Sequence, residues 1–176
     1  MNRHLPLSKA AFMTIIGTGL FAGVLDGVAA EFLYFISGGE NPSIVFQYIA
    51  SGIFGKEAFS GGSLMLVWGI ALHLLIATSW TLIYFFVYPW LPILSRKKIL
   101  AGILYGSTIW LVMNFVVLPL SQVRQQPFDY MRALTGIVVL MAAVGLPVSL
   151  SAHRFFSKKM QSGSLSRGRD QGEHLS

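Results

Sequence analysis

Cysteine is absent from the chain, so disulfides, thiolate metal sites, iron–sulfur clusters and cysteine nucleophiles are all excluded. Charge is almost as scarce. Asp, Glu, Lys and Arg make up 11% of the 176 residues, whereas a soluble domain carries about 25%. Acidic residues are fewest, 7 against 13 basic ones, and the formal charge is +6. Such a balance can signal nucleic acid, but here the basic residues lie between apolar blocks rather than along one face. Catalytic signatures are missing too: there is no HExxH helix, no GxSxG elbow and no phosphate loop.

What the chain has is apolar length. Hydrophobic residues make up 54%, the mean hydropathy is +0.64, and the apolar residues fall in four long blocks. The pattern predicts an all-α integral membrane four-helix bundle with spans near 12–34, 64–86, 99–118 and 133–150. Residues 1–11 read as a basic leader, 12–153 as one membrane domain, and 154–176 as a disordered basic tail. Ten Lys and Arg residues fall on the side of both termini and three, Lys56, Arg124 and Arg132, on the other. That bias predicts that both termini are cytoplasmic. A rival reading takes residues 1–30 as a cleaved signal, since Val28-Ala29-Ala30 offers small residues at a cleavage site. Against it, the apolar run resumes at once with Phe32-Leu33-Tyr34.

Between the first two blocks, Asn41-Pro42 reads as a helix start. Ile44, Val45, Tyr48, Ile49 and Ile53 recur at helical spacing after it. They predict a short amphipathic helix along the membrane surface, an interfacial anchor in preference to a gating lid. Trp80, Tyr84, Tyr88 and Trp90 read as an interfacial aromatic belt. Pro119 is expected to close the third span and Pro147 to kink the fourth.

Ionisable residues inside a membrane need an explanation, because an aspartate at mid-depth costs about 2.5–3.5 kcal/mol on insertion scales. Asp26, His73 and Asn114, counted at about 1.5 Å per residue, fall in one layer of the outer half. His73 is the one histidine inside the expected spans. Glu31 lies one and a half turns beyond Asp26, and Arg124 could descend to it. Gly19, Gly23 and Gly27 form a small-residue stripe on the first span; Gly69 lies on the face of His73; Gly102 and Gly106 repeat the motif on the third. Gly136, Ala143 and Pro147 line one side of the fourth.

Two roles compete for the polar layer. It either fixes helix packing by hydrogen bonds, or it titrates, since an imidazole's ordinary pKa is about 6.5. The titrating role makes the chain a proton-linked small-solute transporter or sensor. The packing role makes it a structural or accessory subunit. A third reading, a membrane-embedded enzyme acting on lipid, would use His73 as base for Ser51 or Ser121. Neither a metal nor a cofactor is expected, because one histidine is too few ligands. Expected partners are the lipid bilayer, protons or a small solute, and further copies of the chain packed through the glycine stripes; nucleic acid is not expected. Lys56, Glu57, Gln122, Gln125 and Gln126 read as solvated loop residues.

The strings IASGIFGKEAFSGG (49–62), ALHLLIATSWTLIYF (71–85) and AGILYGSTIWLVMNFVVLPLS (101–121) resemble a widespread family of small four-span bacterial inner-membrane proteins, distantly YagU-like. The resemblance spans about residues 12–150. It implies a four-helix inner-membrane fold and no reaction. Its strings include His73, Asn114 and Pro119.

Overall fold

The computed structural model describes residues 8–123 and 129–158. All regular structure among them is helical. Four helices are long and apolar enough to cross a membrane: α1 (Lys9–Ile36), α3 (Gly62–Val87), α5 (Lys98–Leu120) and α6 (Tyr130–Lys158). Between them lie α2 (Ser43–Phe54), which runs into a tight 3-10 turn (Gly55–Phe59), and the short α4 (Pro92–Arg96).

Local chemistry sets several helix ends. Ser8 caps α1, its hydroxyl accepting from the Ala11 N–H at 3.2 Å. Past the other end, Gly38 adopts φ +86°, and its N–H returns to the Phe35 carbonyl. The Asn41 side chain accepts from the Ser43 N–H at 3.1 Å and starts α2. Asp129 does the same for α6 through the Arg132 N–H at 3.0 Å.

The helices exceed the expected spans, most of all the fourth. It runs to Lys158 rather than stopping near residue 150. Residues 154–158, expected to open a disordered tail, are therefore helical. Pro119 lies in the last turn of α5, which ends at Leu120, whereas α6 continues past Pro147 to Lys158. Ahead of each is a widened π turn, Met113–Val117 and Met141–Gly145. The N–H of the residue just before each proline, Leu118 or Leu146, bonds back five residues to the carbonyl of Met113 or Met141. Proline offers no N–H and its ring crowds the carbonyl four residues back, and a wider turn accommodates both.

The packing inverts that of a soluble bundle. Large apolar side chains such as Phe12, Phe21, Phe32, Leu64, Leu75 and Phe115 point outward. Small residues such as Ala22, Gly19, Gly23 and Gly27 are buried between helices. On α5, Gly102 and Gly106 meet the π turn of α6: a Cβ on Gly106 would stand 2.5 Å from the Met141 Cα. The most enclosed side chains, Tyr84, Phe85, Thr81, Val148 and Ser149, gather toward the end that holds Lys9 and Lys158. At that end, side chains bridge α3 and α5, with the Tyr84 and Tyr105 rings 4.6 Å apart.

At the opposite end α2 fills the gap. The Phe46 carbonyl sits directly over Gly69, where a Cβ would fall 2.0 Å from its oxygen. Gln122, just past α5, clamps the other end of α2: its N–H donates to the Gly52 carbonyl at 3.1 Å, and its side-chain amide to the Ile53 carbonyl at 2.8 Å. α2 is thus seated in the bundle, with Gln47, Ala50 and Ser51 buried, rather than resting loosely on its rim. Gln122 is a staple and not a free loop residue.

Candidate functional site

The site grows out of the α1–α3 seam. Gly19, Gly23 and Gly27 recur every four residues and face Thr78, Ala77 and His73 in turn. A Cβ on Gly19 would lie 2.7 Å from the Thr78 Cα, and one on Gly23 would lie 3.0 Å from the Ala77 Cβ. With no side chain in the way, the backbone of α1 itself is presented to α3. The His73 Nε2 lies 2.8 Å from the Gly23 carbonyl oxygen. A carbonyl only accepts, so Nε2 carries the hydrogen and Nδ1 is left as the basic nitrogen.

Asp26 is one turn further along α1. Its Oδ2 lies 3.8 Å from the same Nε2, within ion-pair distance but too far for a hydrogen bond. The His73 and Asp26 side chains are 14% and 20% exposed, so water is largely but not wholly excluded. Phe46 of α2 packs on the imidazole, its ring 5.9 Å away in an edge-on arrangement and turned toward Gly27. The arrangement offers two states. A neutral imidazole is held by the Gly23 carbonyl alone. An imidazolium would add a charge beside the carboxylate and free a second donor at Nδ1.

Asn114 does not join the pair. Its side-chain amide donates to the Trp110 carbonyl of its own helix at 2.9 Å, inside the π turn of α5. The polar layer expected from three helices is, in its contacts, a pair from two. The Glu31 Oε2 is buried without a hydrogen-bond partner among the described residues. Arg124, the partner expected for it, lies outside them, as do Gln125 and Gln126. Ser51 and Ser121 donate their hydroxyl hydrogens to the Tyr48 and Leu118 carbonyls at 2.7 and 2.8 Å, and neither hydroxyl is bonded to an imidazole. Lys56 and Glu57 are exposed in the 3-10 turn. Among the described residues, no group of three or more His, Asp or Glu side chains could hold a metal ion.

A second polar system was not legible from the spacing. The Tyr84 hydroxyl donates to Ser149 Oγ at 2.9 Å, and Ser149 in turn donates to the Lys98 carbonyl at 2.6 Å. The Tyr88 hydroxyl meets His153 Nδ1 at 3.2 Å, and Thr18 meets Ser151 hydroxyl to hydroxyl at 2.6 Å. The Tyr105 hydroxyl donates to the Trp80 carbonyl at 2.5 Å. Two corrections follow. Tyr84 and Tyr88, expected in an interfacial belt, are core residues at 1% and 6% exposure, while Trp90 is 56% exposed. His73 is also not the one histidine in a long apolar helix, because α6 extends past His153. Ser149, Ser151 and His153 were the available signal, but they straddle the point where the apolar run thins.

By the length and hydropathy of its four long helices, the chain is a multi-pass membrane protein, a four-span integral bundle. Compared with protein-family models, curated proteins and solved structures, it matches none.

Proposed function

We propose that this chain is a bacterial inner-membrane protein, with both termini cytoplasmic, that binds a proton at Asp26 and His73 and works as a proton-linked small-solute transporter or sensor. The observation that carries the reading is the 3.8 Å approach of the Asp26 carboxylate to His73 Nε2 in a seam lined by glycine. A titratable pair inside an apolar helix bundle is costly to keep and is a functional site by default. An imidazole changes charge between pH 5 and 8, the range in which a proton gradient operates.

A second reading has its own support. The shortest contact of His73 is to the Gly23 backbone, which by itself ties α1 to α3. In that reading the pair is an interhelical fastener in an accessory subunit.

His73→Gln separates the two. A glutamine amide can still donate to the Gly23 carbonyl but cannot take up a proton. Proteoliposomes under an imposed pH gradient would report proton flux for the wild type, His73→Gln and Asp26→Asn. Flux above empty liposomes, lost in both variants while they stay folded, supports titration. A wild type as tight as empty liposomes, with His73→Gln as stable as the wild type and His73→Ala less so, leaves the fastener. For orientation, single cysteines at Ser60 and Ser157 of this cysteine-free chain should differ in labelling by an impermeant thiol reagent in intact cells. Only the first should react.

A further inference from the structure

The end of the bundle that holds Lys9 carries a charge imbalance that the described fold leaves uncompensated. Hydrogen bonds define this end: Thr18 to Ser151 joins α1 to α6, Ser149 to the Lys98 carbonyl joins α6 to α5, and Tyr88 to His153 joins α3 to α6. Together they bring Lys9, Arg96, Lys97, Lys98 and Arg154 to one side. The described carboxylates lie elsewhere. Asp26 and Glu31 are in the later half of α1, Glu40 and Glu57 lie between α1 and α3, and Asp129 starts α6. The side chains of Lys9, Arg96, Lys97, Lys98 and Arg154 are exposed and form no ion pair among the described residues.

The segment from Tyr88 to Lys98 is built to hold such charges at a membrane surface. Both its ends are fixed, Tyr88 through His153 and Lys98 through Ser149, and Leu94 packs against the core. Trp90, Leu91 and Ile93 face outward at 56%, 45% and 53% exposure. Three consecutive cations, Arg96, Lys97 and Lys98, follow directly. Tryptophan and aliphatic side chains settle at the boundary between headgroups and acyl chains, which sets the neighbouring cations at phosphate level. Arg154 adds a guanidinium next to the His153 that Tyr88 holds, and guanidinium matches phosphate geometry with paired donors.

We propose that this fixed turn, Tyr88 to Lys98 with Arg154 beside it, is a recognition surface for the headgroups of anionic phospholipids. The proposal does not depend on whether Asp26 and His73 titrate.

Native mass spectrometry of the full chain, released from detergent with equal phosphatidylglycerol and phosphatidylcholine, tests it. The wild type should retain phosphatidylglycerol in preference. The triple variant Arg96→Gln/Lys97→Gln/Lys98→Gln should lose that preference, by roughly fivefold for each cation removed. Lys56→Gln, at the opposite end, and Arg167→Gln/Arg169→Gln, beyond α6, should keep it. Equal retention of both lipids by the wild type overturns the proposal. So does a triple variant that binds like the wild type, or loss of preference in the Arg167/Arg169 variant alone. Circular dichroism of the triple variant, whose changes are all on exposed side chains, checks that the helices persist. Inorganic phosphate added at millimolar concentration should not displace the lipid; displacement would mean a free-anion site and would overturn the lipid assignment.

Discussion

Gly145 on α6 and Gly102 on α5 meet backbone to backbone: a Cβ built on Gly145 would stand 2.1 Å from the Gly102 carbonyl oxygen and 3.0 Å from the Gly106 nitrogen. Main-chain atoms cannot swing aside as a side chain can, so the two helices must separate to admit even a methyl group. Gly145→Ala should therefore destabilise the bundle by about 1–3 kcal/mol. Gly17→Ala is the control, since nothing lies within 4 Å of its Cβ position. There the gain in helix propensity, up to about 1 kcal/mol, should show instead. Unfolding of the detergent-solubilised protein by a denaturing detergent would rank the two variants on opposite sides of the wild type.

Phe46 covers the imidazole of His73 and is held there by the fit of its own carbonyl over Gly69. Phe46→Ala should uncover the imidazole and speed modification of His73 by diethyl pyrocarbonate, followed by peptide mass spectrometry. Phe54→Ala removes a ring that packs on Trp68, 5.8 Å between centroids, and should leave the rate at His73 unchanged. Equal rates in the wild type and Phe46→Ala would show that α2 does not shield the pair.

The chain of hydroxyls at Tyr84 and Ser149 predicts an asymmetry. Tyr84→Phe removes one donor and leaves Ser149 bonded to the Lys98 carbonyl. Ser149→Ala strands the buried Tyr84 hydroxyl, while the Lys98 carbonyl, in the first turn of α5, keeps its helical N–H partner. Each buried polar group left unpaired costs about 1–3 kcal/mol, so Ser149→Ala should be the more damaging change. The double variant should lose less than the sum of the two, because Tyr84→Phe removes the group that Ser149→Ala strands. Thermal denaturation of all three variants measures the coupling.

Asp129 caps α6 from outside the membrane-spanning segment. The hydrogen bond from the Arg132 N–H, with smaller help from Met131 and the Arg132 charge, holds its carboxyl below the ordinary value of 3.8. A carboxylate with a depressed folded pKa contributes stability above its unfolded pKa, and that contribution fades as pH falls through the folded one. The wild type should therefore be more stable than Asp129→Asn near neutral pH. The gap should narrow below about pH 4 and close once the wild-type carboxyl is protonated. A gap that persists unchanged at the acid end would mean the cap acts without its charge.

The four long helices were legible from run length alone, because a chain in lipid must satisfy its backbone hydrogen bonds within each segment. The stripe of Gly19, Gly23 and Gly27 was legible for a similar reason: fourfold spacing puts all three on one helix face whatever that face meets. What each face meets was decided only in three dimensions. Tyr84 and Ser149 are 65 residues apart, as are Tyr88 and His153, and no local pattern links them. Asn114 found an acceptor one turn back on its own helix, where a short amide reaches without waiting for a neighbour. Gly69 faces the backbone of α2 rather than another spanning helix. Pro119 was legible as a stop, since α5 ends one residue past it, but that each proline sits behind a π turn was not, and the tight crossing of Gly102 and Gly106 falls on the π turn of α6. Sequence periodicity thus determined the spanning elements, because helices in lipid are nearly self-sufficient. The pairing of their polar groups belonged to the tertiary structure, because a side-chain hydrogen bond takes whichever partner packing brings within about 3 Å.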